Sequence, residues 1–354
     1  MTLADLSAWI RASLKWVAAG VVVIILLWIA WIVIAGVSSI IFKPRGAATQ
    51  FGVLDPPLFV KTYSVFKSKE IKNEANLPRA DRKISVYQFG KSSQLSEEVQ
   101  KKFVSFFGLN TVKKVTDKGL NTWKRKTDNT YLKINTTLSH FTYTRDISND
   151  SSLLDSKVNL NKAKAMKQAT EDVKKLGLKL EKTDIDQKNP VVTYYKITKA
   201  GRSTSSETSA NAVQIEFFRK VEKTLTSGQA PLRILYAQGG KKILEFDFTF
   251  SPINESSAPY PTITASQALE LVKTGGSYSE VDEEFDTAVV TSVVLTYWES
   301  KFFQAYLQPV WKFSGEAQSG ANKTSFEAFV PAVNQTYLSL EEEQQPSSPT
   351  PPGQ

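Results

Sequence analysis

Apolar positions follow three different rhythms along this chain. From Trp16 to Phe42, "WVAAGVVVIILLWIAWIVIAGVSSIIF", there is no charged residue. As a helix rising 1.5 Å per residue, such a run reaches about 40 Å, more than the ~30 Å hydrocarbon core of a bilayer. It predicts one transmembrane helix over 16–42, crossing with tilt or with its ends among the headgroups. Trp16 stands where an interfacial aromatic belongs, Lys43 and Arg45 mark the far edge, and Pro44 stops the helix. The run is about twice a signal-peptide core and no small-x-small site follows, so it is expected to stay uncleaved. Upstream, Leu3, Leu6, Ile10 and Leu14 recur at helical spacing around Arg11 and Lys15. Residues 1–15 fit a short amphipathic segment on the membrane surface, or a continuation of the span.

The second rhythm, of about 3.6, occurs three times. "SSQLSEEVQKKFVSFFG" puts Leu95, Val99, Phe103 and Phe106 on one face, with early acids and Gly108 as a stop. "NLNKAKAMKQATEDVKKLG" does the same with Ala163, Met166, Thr170, Val173 and Leu176, capped by Asn161 and ended by Gly177. "TASQALELVKTGG" sets Thr264 and Gln267 at capping-box spacing, turns Ala268, Leu269 and Val272 inward, and ends at Gly275-Gly276. The third rhythm is the alternation of strands. It appears in "KISVYQFG", "HFTYTR", "VVTYYKIT" and "VQIEFFRKV", and in hairpins turning at Asp128-Asn129 and Gly239-Gly240. Three last strands are "AVVTSVVLTYW", "AYLQPVWKF" and "SFEAFVPAV". The Pro/Gly-bearing segment 43–59 predicts a linker, and the acidic then proline-rich 341–354 a disordered tail. Helix followed by several antiparallel strands is a weak internal repeat. The expected class is α+β, with helices packed on one face of antiparallel sheets and the other face wet or open to a partner. The expected segments are an α+β domain over 60–150 and a second, of two helix-plus-strands units, over 155–340.

Composition narrows the chemistry. The chain has no cysteine, which excludes disulfides, thiolate catalysis and cysteine-ligated metals. Its formal charge of +9 is uneven: residues 61–126 hold sixteen Lys/Arg against six Asp/Glu, so that stretch alone carries the surplus. This basic 60–150 domain lies close to the predicted span. It is either drawn to anionic headgroups or anionic wall polymers, or it is a solvated lysine-rich surface. Nucleic acid is not expected, since no reader motif accompanies the basic stretch.

No residue set rises to a catalytic site. Phosphate-loop and G-x-S-x-G patterns are absent, and the single histidine, His140, sits in an alternating run that predicts a half-buried strand position. The acidic cluster "SEVDEEFD", with Glu280, Asp282, Glu283, Glu284 and Asp286, lacks the turn glycine of a calcium loop and fits a solvated connection. No metal and no cofactor are expected. Two of the 35 acids could still converge as a pair for glycoside chemistry. In "QAYLQPVWKFSG", Leu307, Pro309, Trp311 and Phe313 share one face, the pattern of a strand covering a core. Proline has no amide to donate, so Pro309 predicts an edge or a bulge. An edge can take up a partner strand, which makes Tyr297, Trp298, Tyr306, Pro309 and Trp311 the candidate partner-binding edge, with core packing the competing reading of Trp311.

A resemblance emerges over about 155–335. It is carried by "VQIEFFRKV", the hairpin ending "EFDFTF", the entry "YPTITASQALELV", then "VVLTYW" and "YLQPVWKFSG". Together with one N-terminal span, this order resembles YycH and YycI, membrane-anchored regulators of a cell-envelope histidine kinase. The helix-then-hairpin units also resemble PepSY domains, although "FEAFVPAVNQ" departs from the ending expected of them. The resemblance implies a cytoplasmic N-terminus, an extracytoplasmic body and a non-enzymatic role in binding a protein, either a membrane kinase or a paralogous anchored protein. The alternative is an anchored cell-envelope hydrolase or wall-polymer-binding protein.

Overall fold

A computed structural model of the protein describes residues 50–59, 64–79, 81–91, 95–138, 140–147 and 150–339. The amphipathic segment 1–15, the span 16–42, the start of the linker and the tail 341–354 lie outside the described residues. Among the described residues no helix is long and apolar enough to cross a membrane. The chain divides between Gly52 and Val53, and everything below belongs to the second unit.

Along that unit come β1 (Ser64–Val65), β2 (Lys67–Asn73), β3 (Lys83–Phe89) and α1 (Glu97–Phe106). Next are β4 (Lys114–Asp117), β5 (Leu120–Arg125), β6 (Thr130–Asn135), β7 (His140–Thr144) and α2 (Lys162–Leu176). Then follow β8 (Val191–Thr198), β9 (Gly201–Thr204), β10 (Ala212–Phe217), β11 (Lys220–Val221), β12 (Thr224–Leu225) and β13 (Ser227–Gly228). The chain continues through β14 (Leu232–Ala237), β15 (Lys242–Phe248), β16 (Ile253–Pro261) and α3 (Ala265–Lys273). It closes with β17 (Tyr278–Ser279), β18 (Glu284–Glu299), β19 (Tyr306–Ser319) and β20 (Asn322–Pro331).

The three longer helices begin and end where local chemistry directs, and one further helical turn spans Ser151–Leu154. The Ser96 hydroxyl accepts from Val99 N, and Glu97 and Glu98 face the positive end of the α1 dipole. The Asn161 side chain accepts from Lys164 N to start α2, and Gly177, in the left-handed conformation at φ 78°, ends it. Thr264 and Gln267 form a reciprocal capping box on α3. The buried face of α2 is Ala165, Ala169, Asp172, Val173 and Leu176, rotated from the predicted stripe. The rotation lets the small Ala165 and Ala169 approach the sheet and puts Asp172 where it accepts from Tyr236 Oη at 3.0 Å.

The strands form two large sheets, so the protein is sheet-rich α+β. One is antiparallel throughout, ordered β4-β5-β6-β7-β15-β14-β10-β8-β9. Helices α1 and α2 cover one of its faces, over a core that includes Phe103, Phe141, Val173, Ile234 and Phe246. Phe141 is 1% exposed with its ring 4.4 Å from Phe103, and truncating such a side chain costs roughly 3–5 kcal/mol. The other sheet runs β1-β17-β20-β19-β18-β13, with β2 parallel to β18 and β3 joining β16 to β19. Helix α3 packs on it over Phe285, Val293, Trp311 and Phe313. Strands from the expected 60–150 segment enter both sheets: β2 and β3 pair with β18, β16 and β19, whereas β7 pairs with β15. Between the Gly239-Gly240 hairpin and α3 lies β16, an antiparallel partner of β3.

The prediction that Pro309 marks an edge or a bulge is overturned: the register with β18 runs through it unbroken. Strand β19 lies between β18 and β20, and Pro309 is opposite Tyr297. A central strand tolerates this proline because its groups point toward β20, away from β18. The Pro309 carbonyl accepts from Ala332 N at 3.0 Å, and the Ala332 carbonyl, which a residue with an amide would have served, accepts from Ile263 N at 2.9 Å. The missing donor is replaced from the loop entering α3.

Candidate functional site: a cleft between helix-free sheet faces

The predicted partner-binding edge is interior. Trp311 is fully buried and its Nε1 donates to Ile263 O at 3.0 Å; Trp298 is 1% exposed and donates to Leu58 O at 2.9 Å. Tyr297 is buried, donates to Ser85 O at 3.1 Å and meets the Tyr87 ring edge-on. Tyr306 is half-buried beside β3, and Pro309 is buried. These five residues hold the sheet together. The exposed aromatics of this region are Phe302 and Phe303, in the turn between β18 and β19.

The open concavity lies elsewhere. A cleft of about 1000 Å³ separates the helix-free face of the antiparallel sheet from the helix-free face of the β18–β20 sheet. Strand alternation builds its first wall. Residues of β10 and β14 that point away from α1 and α2 include Gln214, Glu216 and Arg233, and β15 adds Glu245 and Asp247 on that side. Arg233 pairs with Asp247, and Glu245 lies 3.6 Å from Arg233 and 3.5 Å from Arg202. The Arg202 guanidinium sits 4.7 Å over the Tyr195 ring. Farther along the same face, Ala212, Leu235 and Leu244 turn apolar and are covered by Ile147 and Leu154. The second wall presents Val294 and Thr296 from β18, Lys312 from β19, and Glu327 and Phe329 from β20. Lys312 pairs with Glu327 at 2.5 Å.

Glu216 differs from the other wall charges. No Lys or Arg nitrogen lies within salt-bridge distance of its carboxylate among the described residues. Burial pushes its carboxyl above the usual range, and the neighbouring Gln214 side chain and the fields of Arg233 and Arg202 only partly offset this. Gln214 is 4% exposed, and its own side-chain oxygen has no hydrogen-bond partner.

At one end the cleft is pinned. Arg219, fully buried between β10 and β11, donates to Glu299 at 3.0 and 3.1 Å, to Ser251 O at 2.6 Å, and to Asp184. Its guanidinium also lies 4.7 Å from the Phe250 ring. Burial works against the Arg219 charge, but Glu299 and Asp184 outweigh it and hold the group protonated. Burial raises the Glu299 carboxyl, and Arg219 pulls it back. This triad is a structural clamp: each of its charges is answered by another.

The remaining candidates fall outside the cleft or at its rim. His140 stands half-buried on β7, as expected, with Nε2 3.2 Å from Ser251 Oγ. Burial pushes its imidazole down to about 4. In the acidic cluster, Glu280 reaches the cleft rim, Asp286 pairs with Lys69 at 2.8 Å, and Asp282, Glu283 and Glu284 are exposed. Among the described residues no three His, Asp or Glu side chains converge to hold a metal ion.

The sequence contains a signal for the cleft. In "VQIEFF" and "ILEFDF" a charged or amide residue recurs at alternate positions of an apolar strand, and "LRILYA" carries Arg233 among apolar residues, which marks a sheet face turned to a wet space.

The sequence matches no family model and no curated protein. Among solved structures, an uncharacterized protein from Eubacterium rectale aligns with 74% of this chain and 88% of its own, at 11% identity and a TM-score of 0.42. The Bacillus megaterium YpeB C-terminal domain aligns with 69% of this chain and 95% of its own, at 14% identity and a TM-score of 0.34. Likenesses at these scores assign neither family nor activity, and they add nothing to the YycH and YycI resemblance.

Proposed function

We propose that the protein is a membrane-anchored, extracytoplasmic interaction module that takes a segment of another protein into the inter-sheet cleft and catalyses no reaction. One observation carries this reading. Two sheets turn helix-free faces toward each other across about 1000 Å³, and the polar groups of the wall are strung along strands instead of gathered as nucleophile, base and oxyanion donors. The uncharged run 16–42 supplies the anchor. The YycH and YycI resemblance supplies the sidedness, N-terminus inside, and the finer reading: binding outside biases a cell-envelope sensor kinase, or engages a paralogous anchored protein. The basic stretch near the anchor adds attraction to anionic headgroups or wall polymers.

The test is photo-crosslinking in intact cells from Val294, 44% exposed in the cleft, against Val115, 61% exposed on β4. A single protein species is expected from Val294 and not from Val115. Capture of no protein, or equal capture from both positions, sinks the reading. Protease access to a C-terminal tag checks the sidedness. One observation favours the alternative of an anchored hydrolase: the raised carboxyl of Glu216 faces a cleft of about 1000 Å³. Hydrolysis of wall fragments that Glu216→Gln abolishes would select it.

A further inference from the structure

We infer that the cleft receives an extended peptide whose backbone pairs with an open stretch of β18 and whose lysine or arginine side chain meets Glu216 and Gln214. This rests on the cleft being a protein-binding site and adds the chemistry of the occupant.

The first observation is a gap in the sheet. On the side of β18 away from β19, β2 runs parallel as far as Asn73, opposite Val290, and Glu74 N donates to Val290 O at 2.9 Å. Pairing resumes at Trp298, opposite Ser227 of β13, which is also parallel. Thr296 is held through its hydroxyl, which donates to Leu225 O at 2.6 Å. Between these contacts no strand among the described residues pairs with Thr291–Leu295 on that side. Five residues at about 3.3 Å each leave some 17 Å of free edge. Val294, within the gap, is 44% exposed and lines the cleft. A strand entering here would continue a column already begun by β2 and β13, and its alternate side chains would project into the cleft.

The second observation is an unmet charge on the facing wall. Arg202, Arg233 and Lys312 each have a carboxylate partner, in Glu245, Asp247 and Glu327. Glu216 has no cation within salt-bridge distance among the described residues, and Lys223, the other cation of the wall, is exposed on the turn between β11 and β12. Gln214 stands two residues before Glu216 on the same face of β10, and its buried side-chain oxygen has no hydrogen-bond partner. A desolvated carboxylate beside an unpartnered acceptor is costly until a charged donor arrives. Lysine and arginine supply both positive charge and N–H groups. A glutamate there would face Glu216, and an apolar side chain such as norleucine would leave Glu216 without a cation and the Gln214 oxygen without a donor.

The probe is an acetylated, amidated heptapeptide of alternating threonine and valine with a central lysine. It is titrated onto the full chain in nanodiscs and followed by fluorescence anisotropy, beside norleucine and glutamate versions. The lysine peptide is expected to bind about tenfold tighter than the norleucine peptide, about 1.4 kcal/mol. Glu216→Gln is expected to remove that preference, and Val294→Lys or N-methylated backbone amides to weaken all the peptides together. Unchanged thermal unfolding of each variant separates binding from folding. Equal affinity for lysine and norleucine peptides, a preference that survives Glu216→Gln, or no binding of the lysine peptide at about 1 mM overturns the inference. A protein captured from Val294 whose bound segment lacks lysine and arginine overturns the inference alone; capture of no protein overturns the proposed function instead.

Discussion

Replacing Arg219 with methionine removes the cation that pairs with Glu299 in the clamp, while keeping most of the side-chain volume. The Arg219 side chain is 0% exposed and that of Glu299 6%, so water cannot take over the lost bonds, whereas Asp184 at 29% can be partly rehydrated. Breaking one side of a buried pair costs about 3–5 kcal/mol, most of it the penalty on the carboxylate left behind. That penalty depends on pH. Burial already raises the Glu299 carboxyl, and without Arg219 it rises further. A carboxyl whose folded value lies above its unfolded one, near 4.3, loses folded-state stability as pH climbs through that window. The deficit of Arg219→Met is therefore smallest near pH 4 and grows toward pH 7. Adding Glu299→Gln removes the stranded charge and should recover at least about 2 kcal/mol, since apolar or neutral replacements of buried pairs are often tolerated. Urea unfolding of the full chain in detergent, at both pH values, reads these differences. A loss under about 1 kcal/mol at pH 7, or no recovery in the double variant, would refute the clamp.

Three further outcomes follow from the same geometry. Gly315 lies opposite the bulge of β18 between Val290 and Ser292, and a Cβ there would overlap the Val289 carbonyl oxygen. Gly315→Ala should cost about 1–3 kcal/mol or prevent folding, and a chemical midpoint matching that of the parent would contradict the packing. Pro309→Ala should cost less than about 1 kcal/mol, because the Ala332 carbonyl is already served by Ile263 and only chain stiffness is lost; a larger drop in thermal midpoint would mean the proline does more. His140, pushed down to about 4 by burial, contributes stability that is complete above its unfolded value near 6.5 and is lost as pH falls from there toward 4. His140→Gln should flatten the pH dependence of the unfolding midpoint between pH 6.5 and 4, and an unchanged slope would rule out the histidine as its source.

The three longer helices and most strands were legible because their causes are local. Asn161 and Gly177 bracket α2, Thr264 and Gln267 open α3, and Gly239-Gly240 turns a hairpin, each through contacts a few residues apart. The uncharged length of 16–42 is likewise a property of the chain alone, set against the thickness of a bilayer. Strands β2 and β16 were missed because they lack a clean alternation: "KSKEIKN" and "INESSAPYP" become strands only because β18 and β3 offer them partners.

What tertiary structure decided was which residue faces which across long separations. Pro309 lacks a donor at the level of sequence, and only the meeting of Ile263 with Ala332 makes it a central-strand residue. Trp298 and Trp311 are aromatic in any context, but their burial depends on the carbonyls of Leu58 and Ile263. Glu216 and Val294 are 78 positions apart in the numbering, yet they line one cleft. Period-two alternation says that a side chain leaves one face of a sheet; it does not say what stands opposite. That assignment comes from strand order, because sheet pairing has no fixed sequence distance.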